Sequence, residues 1–230
     1  IYDSFGGQRH DALIHWFPRG LTQRLYGEPL LPRTGHRVPA TIRWGQVAPA
    51  GMMRYRGTHL GDDYRDTLFA CHFNSSEVRH IKLNPDGATF TAKDTAFLSS
   101  TSRDFHPTDI LEDADGSLLL LDTGGWLSWG CPHSKAAKPE ILGAIYKIRR
   151  TGSTSPPDPR GKMIPWTQQK PGPLAQLLGD PRPAVRDRAR SKLIAMGPKS
   201  FEALAQLRLS SVTKEASVRR RAVFAMAQIK

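Results

Sequence analysis

The chain of 230 residues has a 39% hydrophobic share and a formal net charge of +12. That share is enough for a core and excludes wholesale disorder, and no apolar run approaches the roughly 20 residues of a bilayer-spanning helix. The basic surplus is uneven: residues 151–230 hold 15 Lys and Arg against 5 Asp and Glu, leaving 18 against 16 for residues 1–150.

The sequence opens at Ile1 and stops at Lys230 inside a helical pattern, and both ends are expected to be cuts. The first 45 residues are broken by Gly and Pro and read as long loops with one short strand. Regular structure is expected from Met52. TLFACHF is rich in β-formers, EVRHIKL alternates in period two, NPDG is a turn, and ATFTAKDTAFL alternates again. HPTDILED and SLLLLDT form a hairpin about the turn ADG, the second strand buried on both faces, and GAIYKIRR adds a third. Such short antiparallel strands suit propeller blades or a β-sandwich.

From Thr151 the composition changes. TGSTSPPDPRGKMIPWTQQKPGP is too Pro-rich for a regular helix or central strand, so residues 151–173 read as an extended linker, strapped to a neighbouring surface by Met163, Ile164 and Trp166. Helical periodicity follows. A helix around Leu174–Leu178 precedes one placing Val185, Ala189, Leu193 and Met196 on one face, stopped at Gly197–Pro198. A third runs from about Lys199 to Leu209. Val185-Arg186 with Ala189 then recurs as Val218-Arg219 with Ala222, an offset of 33 residues, the length of a stacked helix-pair repeat. The expected fold is therefore β plus α and multi-domain: propeller blades over 1–150, the linker, and an α-solenoid beginning over 174–230.

The pattern at Asp180–Ala189 and its echo at Val218–Ala222 resemble HEAT repeats. Residues 48–150, through APAGMMRYRG, YRDTLFACHFNSSEVRHIKL, FHPTDILEDADGSLLLLDTGGW and GAIYKIRR, resemble the last blades of glucose/sorbosone dehydrogenase-type β-propellers. Followed by the linker and repeats, the string resembles the large membrane-bound dehydrogenase-like proteins of planctomycete-type bacteria, where a c-type haem domain often lies further along. The resemblance implies oxidation of a sugar or other alcohol outside the cytoplasm, in a periplasmic and membrane-associated setting, with electrons passing to that haem. It also implies cations for a quinone at three positions that here are Asn74, His106 and Thr108, so quinone binding is not expected and the cofactor stays unknown. No CxxCH motif is present to attach haem.

His106 and Asp109 in HPTD are the catalytic candidates: a His can serve as general base, with the carboxylate fixing its tautomer. The alternative has Asp109 capping a turn and His106 packing. Asn74, Thr108 and Trp126 are candidate substrate contacts; Trp126 and Trp129 can stack on a sugar or pack between blades. Cys71 and Cys131 can form one disulfide or remain two buried thiols. With His72 and His133 they lack the spacing of small zinc folds, so no metal is expected, and Asp113 and Asp115 read as a hairpin turn rather than a calcium loop. Arg186, Arg188, Arg190, Arg219, Arg220 and Arg221 lack the interleaved aromatics of a stacking platform, so nucleic acid is not an expected partner. A sugar or alcohol substrate, or a protein on the HEAT face, is. The competing function class is a non-catalytic scaffold that binds a glycan or protein.

Overall fold

The computed structural model describes residues 11–17, 38–125, 138–209 and 216–229. The chain divides into two compact units, the first comprising residues 1–113 and 117–149, the second 114–116 and 150–230. The architecture is β plus α.

Unit one holds three antiparallel sheets. Strands β1 (Asp11–Ile14) and β2 (Ala40–Gly45) pair as a ribbon, so the region expected to carry one strand carries two. A four-stranded meander follows in chain order: β3 (Pro49–Arg54), β4 (Leu68–His72), β5 (Glu77–Asp86) and β6 (Thr89–Ser99). Strands β7 (Pro107–Glu112), β8 (Leu118–Asp122) and β9 (Ala144–Ile148) form the third sheet in the same way. The turn expected at NPDG lies two residues later, at Gly87 and Ala88, between the paired Asp86 and Thr89. Pro85 therefore sits inside β5. It is tolerated because β4 pairs only with residues 77–81, which leaves this stretch an edge that needs no second partner.

Alternation along the strands builds two cores. Phe69, Cys71 and Val78 on one face of the second sheet join Ile110, Leu118 and Leu120 of the third, with Tyr55 and Phe105 closing the cluster. Ala70 and Ile81 on the opposite face meet Leu13, Ile42 and Trp44 of the ribbon. Leu118 and Leu120 are fully buried whereas Leu119 and Leu121 are half-buried, so β8 is sealed on one face. The leading strands β3 and β7 run side by side. Gly51 permits their closeness: a Cβ there would sit 2.6 Å from the Asp109 Cα.

Unit two contains α1 (Pro171–Gln176), α2 (Pro183–Ala195), α3 (Phe201–Leu209) and α4 (Ala216–Gln228). Proline opens α1 and α2, where its missing N–H costs nothing, and a left-handed Gly197 follows α2. Val185, Ala189 and Leu193 share a core with Leu174, Leu178, Leu204, Val218 and Ala222; Met196 is partly buried against it. Ile164 and Trp166 of the Pro-rich stretch join this core, and the indole Nε1 donates to the Gly161 carbonyl at 2.6 Å. Met163 is 86% exposed and does not take part. Arg186 is buried, donating to the Asp180 and Pro181 carbonyls, and Arg221 donates to that of Leu178. These two arginines serve packing.

Candidate functional site

Among the described sequence candidates, Asn74, His106 and Thr108 lie at the end of unit one where β4 finishes and β7 starts. After β4 the chain turns back on the approach to β3, where the Phe73 and Asn74 amides donate to the Ala48 and Val47 carbonyls at 3.1 and 3.0 Å. This sets Phe73 against His106, the two rings stacked with centroids 4.4 Å apart and planes 16° from parallel. Asn74, next in the chain, is thus brought to the same end as His106.

His106 precedes β7 and is half-buried. Its Nδ1 lies 2.5 Å from the Gly124 carbonyl oxygen. A carbonyl only accepts, so Nδ1 carries the proton and, in the neutral ring, Nε2 presents its lone pair. The His106 backbone is held on both sides: its amide donates to Asp122 Oδ1 at 2.8 Å, and its carbonyl accepts from the Thr123 amide at 3.2 Å. The same Asp122 oxygen accepts from the Gly124 amide at 2.9 Å. Gly124 has φ +61, and a Cβ there would meet the Ile141 and Leu142 carbonyls at 2.6 Å. The tight exit from β8 therefore requires glycine.

Asp109 does not hold the His106 ring. Its Oδ1 accepts from the neighbouring Ile110 amide at 2.8 Å, and the residue is pressed against Gly51 of β3. The expected pair is therefore replaced by a histidine oriented by a backbone carbonyl and an aromatic ring. Thr108 donates its hydroxyl to the Leu121 carbonyl at 3.2 Å and so serves the β7–β8 ladder. Trp126, Trp129, Cys131 and His133 lie outside the described residues. Asp122 and Phe73 were missed as site residues. An Asp two positions before a Gly is a turn signal visible in DTG, but nothing in the sequence pairs Phe73 with His106.

Cys71 is a buried free thiol, and burial, helped by the Asp109 carboxylate, pushes it up to about 12. Among the described residues no group of three His, Cys, Asp or Glu could hold a metal. An anionic quinone fits this end poorly. Asn74, His106 and Thr108 supply no fixed positive charge, the Thr108 hydroxyl and the His106 Nδ1 are bound to backbone, and Lys138 is paired with Asp104 at 2.7 Å.

Residues 37–124 match a domain family of unknown function, DUF7133. No curated protein matches the chain. A crystal structure from Thermus thermophilus, described as an oxidoreductase (glucose dehydrogenase), is similar over 62% of this chain and 38% of its own, with 12% identity and a TM-score of 0.42. The chain thus spans well under half the length of that protein.

Proposed function

We propose that unit one is a run of β-propeller blades from a dehydrogenase-like protein, and that its His106 end binds the hydroxyl of a sugar or other alcohol for oxidation. Three consecutive antiparallel sheets, two of them meanders with their leading strands side by side, support the propeller reading. The observation that carries the chemistry is the His106 ring, oriented through Nδ1 by the Gly124 carbonyl and stacked on Phe73. Its Nε2 is then the atom to take the hydroxyl proton, while the carbinol hydrogen leaves with its electron pair to a two-electron acceptor supplied from outside the described residues. The resemblance to haem-linked dehydrogenases favours an electron acceptor elsewhere in the protein and a place outside the cytoplasm. The helices of unit two fit the opening of a HEAT-type array, because Val185 and Ala189 are buried as their counterparts Val218 and Ala222 are.

The test is dye-linked oxidation of aldoses, polyols and simple alcohols by the full-length protein. Turnover that falls by about 100-fold or more in His106→Gln, with circular dichroism unchanged, supports the reading. Equal turnover in that variant, or none in the wild type, defeats it. The second reading, a scaffold without catalysis, draws on the exposed Val223 and Phe224 of α4. It predicts capture of a glycan or protein partner without dye reduction.

A further inference from the structure

We infer that Asp122 is a positioning residue for the tautomer of His106, acting through the two residues whose amides it ties together. The inference rests on the reading of His106 as a base only for its consequence in turnover; the geometry stands without it. One carboxylate oxygen, Asp122 Oδ1, accepts two backbone amides, that of His106 at 2.8 Å and that of Gly124 at 2.9 Å. The first bond fixes where the imidazole is attached. The second anchors the amide of Gly124, the residue from which the carbonyl that receives the Nδ1 proton at 2.5 Å extends. The carboxylate therefore ties together the two residues that carry the donor and the acceptor of the ring's own hydrogen bond, without touching the ring.

The surroundings leave that arrangement little freedom. Thr123, between the two anchored residues, returns its amide to the His106 carbonyl at 3.2 Å. The Gly125 amide donates to the Ile141 carbonyl at 3.0 Å, and the Lys138 amide donates to the Gly125 carbonyl at 2.9 Å. Phe73 covers one face of the imidazole, which opposes a ring flip. Tyr146 reaches the other carboxylate oxygen only at 3.5 Å, so Oδ1 carries the work. Without Asp122 the His106 and Gly124 amides lose their shared acceptor, and the two residues can part although the Gly125 amide still ties the next peptide to Ile141. The Nδ1 bond then weakens, and the neutral ring can put its proton on Nε2. That tautomer cannot accept a proton at the substrate side.

The experiment is ¹⁵N NMR of the histidine rings with the imidazole neutral, His106 being assigned by its loss in His106→Gln. The wild type should show a protonated Nδ1 and an unprotonated Nε2. Asp122→Ala should give a mixture or the reversed tautomer, whereas Asp122→Asn, which keeps a carbonyl oxygen, should restore the wild-type pattern. In turnover the Ala variant should lose roughly 10- to 100-fold in kcat, the range seen when an outer partner of a functional imidazole is removed, with KM little changed. An unprotonated Nδ1 in the wild type overturns the inference, whether or not the Ala variant folds. So does an unchanged ring pattern in a folded Asp122→Ala protein. If the ring responds as described while the wild type oxidises nothing, the positioning role stands and the dehydrogenase reading falls.

Discussion

Acidification should loosen unit one through His72. This ring is 2% exposed at the end of β4, set edge to face against Trp44 with centroids 4.6 Å apart, and its Nε2 has no hydrogen-bond partner among the described residues. Burial is the largest influence on its basicity and lowers it; Asp94 and Asp11 pull it back up, Arg79 pushes it down, and the balance is about 4. An unfolded imidazole titrates near 6.5, so the unfolded chain takes up a proton where the folded chain resists it. His72's contribution is thus fully present above about pH 6.5 and is lost as pH falls toward and through about 4. Each tenfold difference in proton affinity is worth about 1.4 kcal/mol, which makes the total about 3 kcal/mol. Urea denaturation of the wild type and of His72→Leu, followed by the strand signal in circular dichroism across this range, isolates the effect. The stability of the wild type relative to the variant should drop by about that amount between neutral pH and pH 4. A flat difference would refute the account, because removing the ring removes its titration whatever other groups do.

Two further outcomes follow from the same core. Gly51→Ala should push β3 and β7 apart, since the added carbon would fall 2.6 Å from the Asp109 Cα; a loss of about 1–3 kcal/mol in urea denaturation is expected, and an unchanged midpoint would mean the strands are not held so closely. Cys71, buried and with its thiol near 12, should resist a maleimide at neutral pH and react only on unfolding, which peptide mass spectrometry reads directly.

Those effects depend on side chains whose burial follows strand parity, and this is where the sequence was most informative. EVRHIKL alternates, and it buries Val78 on one face of β5 and Ile81 on the other. SLLLLDT, expected to be buried on both faces, buries Leu118 and Leu120 and leaves Leu119 and Leu121 half-buried. The helical spacing of Val185, Ala189 and Leu193 was equally legible because 3.6-residue periodicity needs no knowledge of the partner surface. The ribbon of β1 and β2 was not. Its strands are short and lie far apart in the chain, so neither shows a period of its own. The His106 site was half legible. A histidine at the start of a buried strand marks the place, but its orienting group is the backbone carbonyl of Gly124, 18 residues on. Every residue owns a carbonyl, so no residue type announces it. Asp109, chosen for its charge and proximity in sequence, was drawn instead to the amide beside it.

The seat of Trp166 in the helical core has a practical use. It is the one indole among residues 150–230, hydrogen-bonded through Nε1 to Gly161 and capped by the Arg188 guanidinium 4.6 Å above the ring. A cation over an excited indole alters its emission, and unfolding removes both the cation and the apolar walls together. In a protein whose other four tryptophans are replaced by phenylalanine, the remaining fluorescence would report the opening of unit two alone, and set beside the strand signal in circular dichroism it would give the order in which the two units melt.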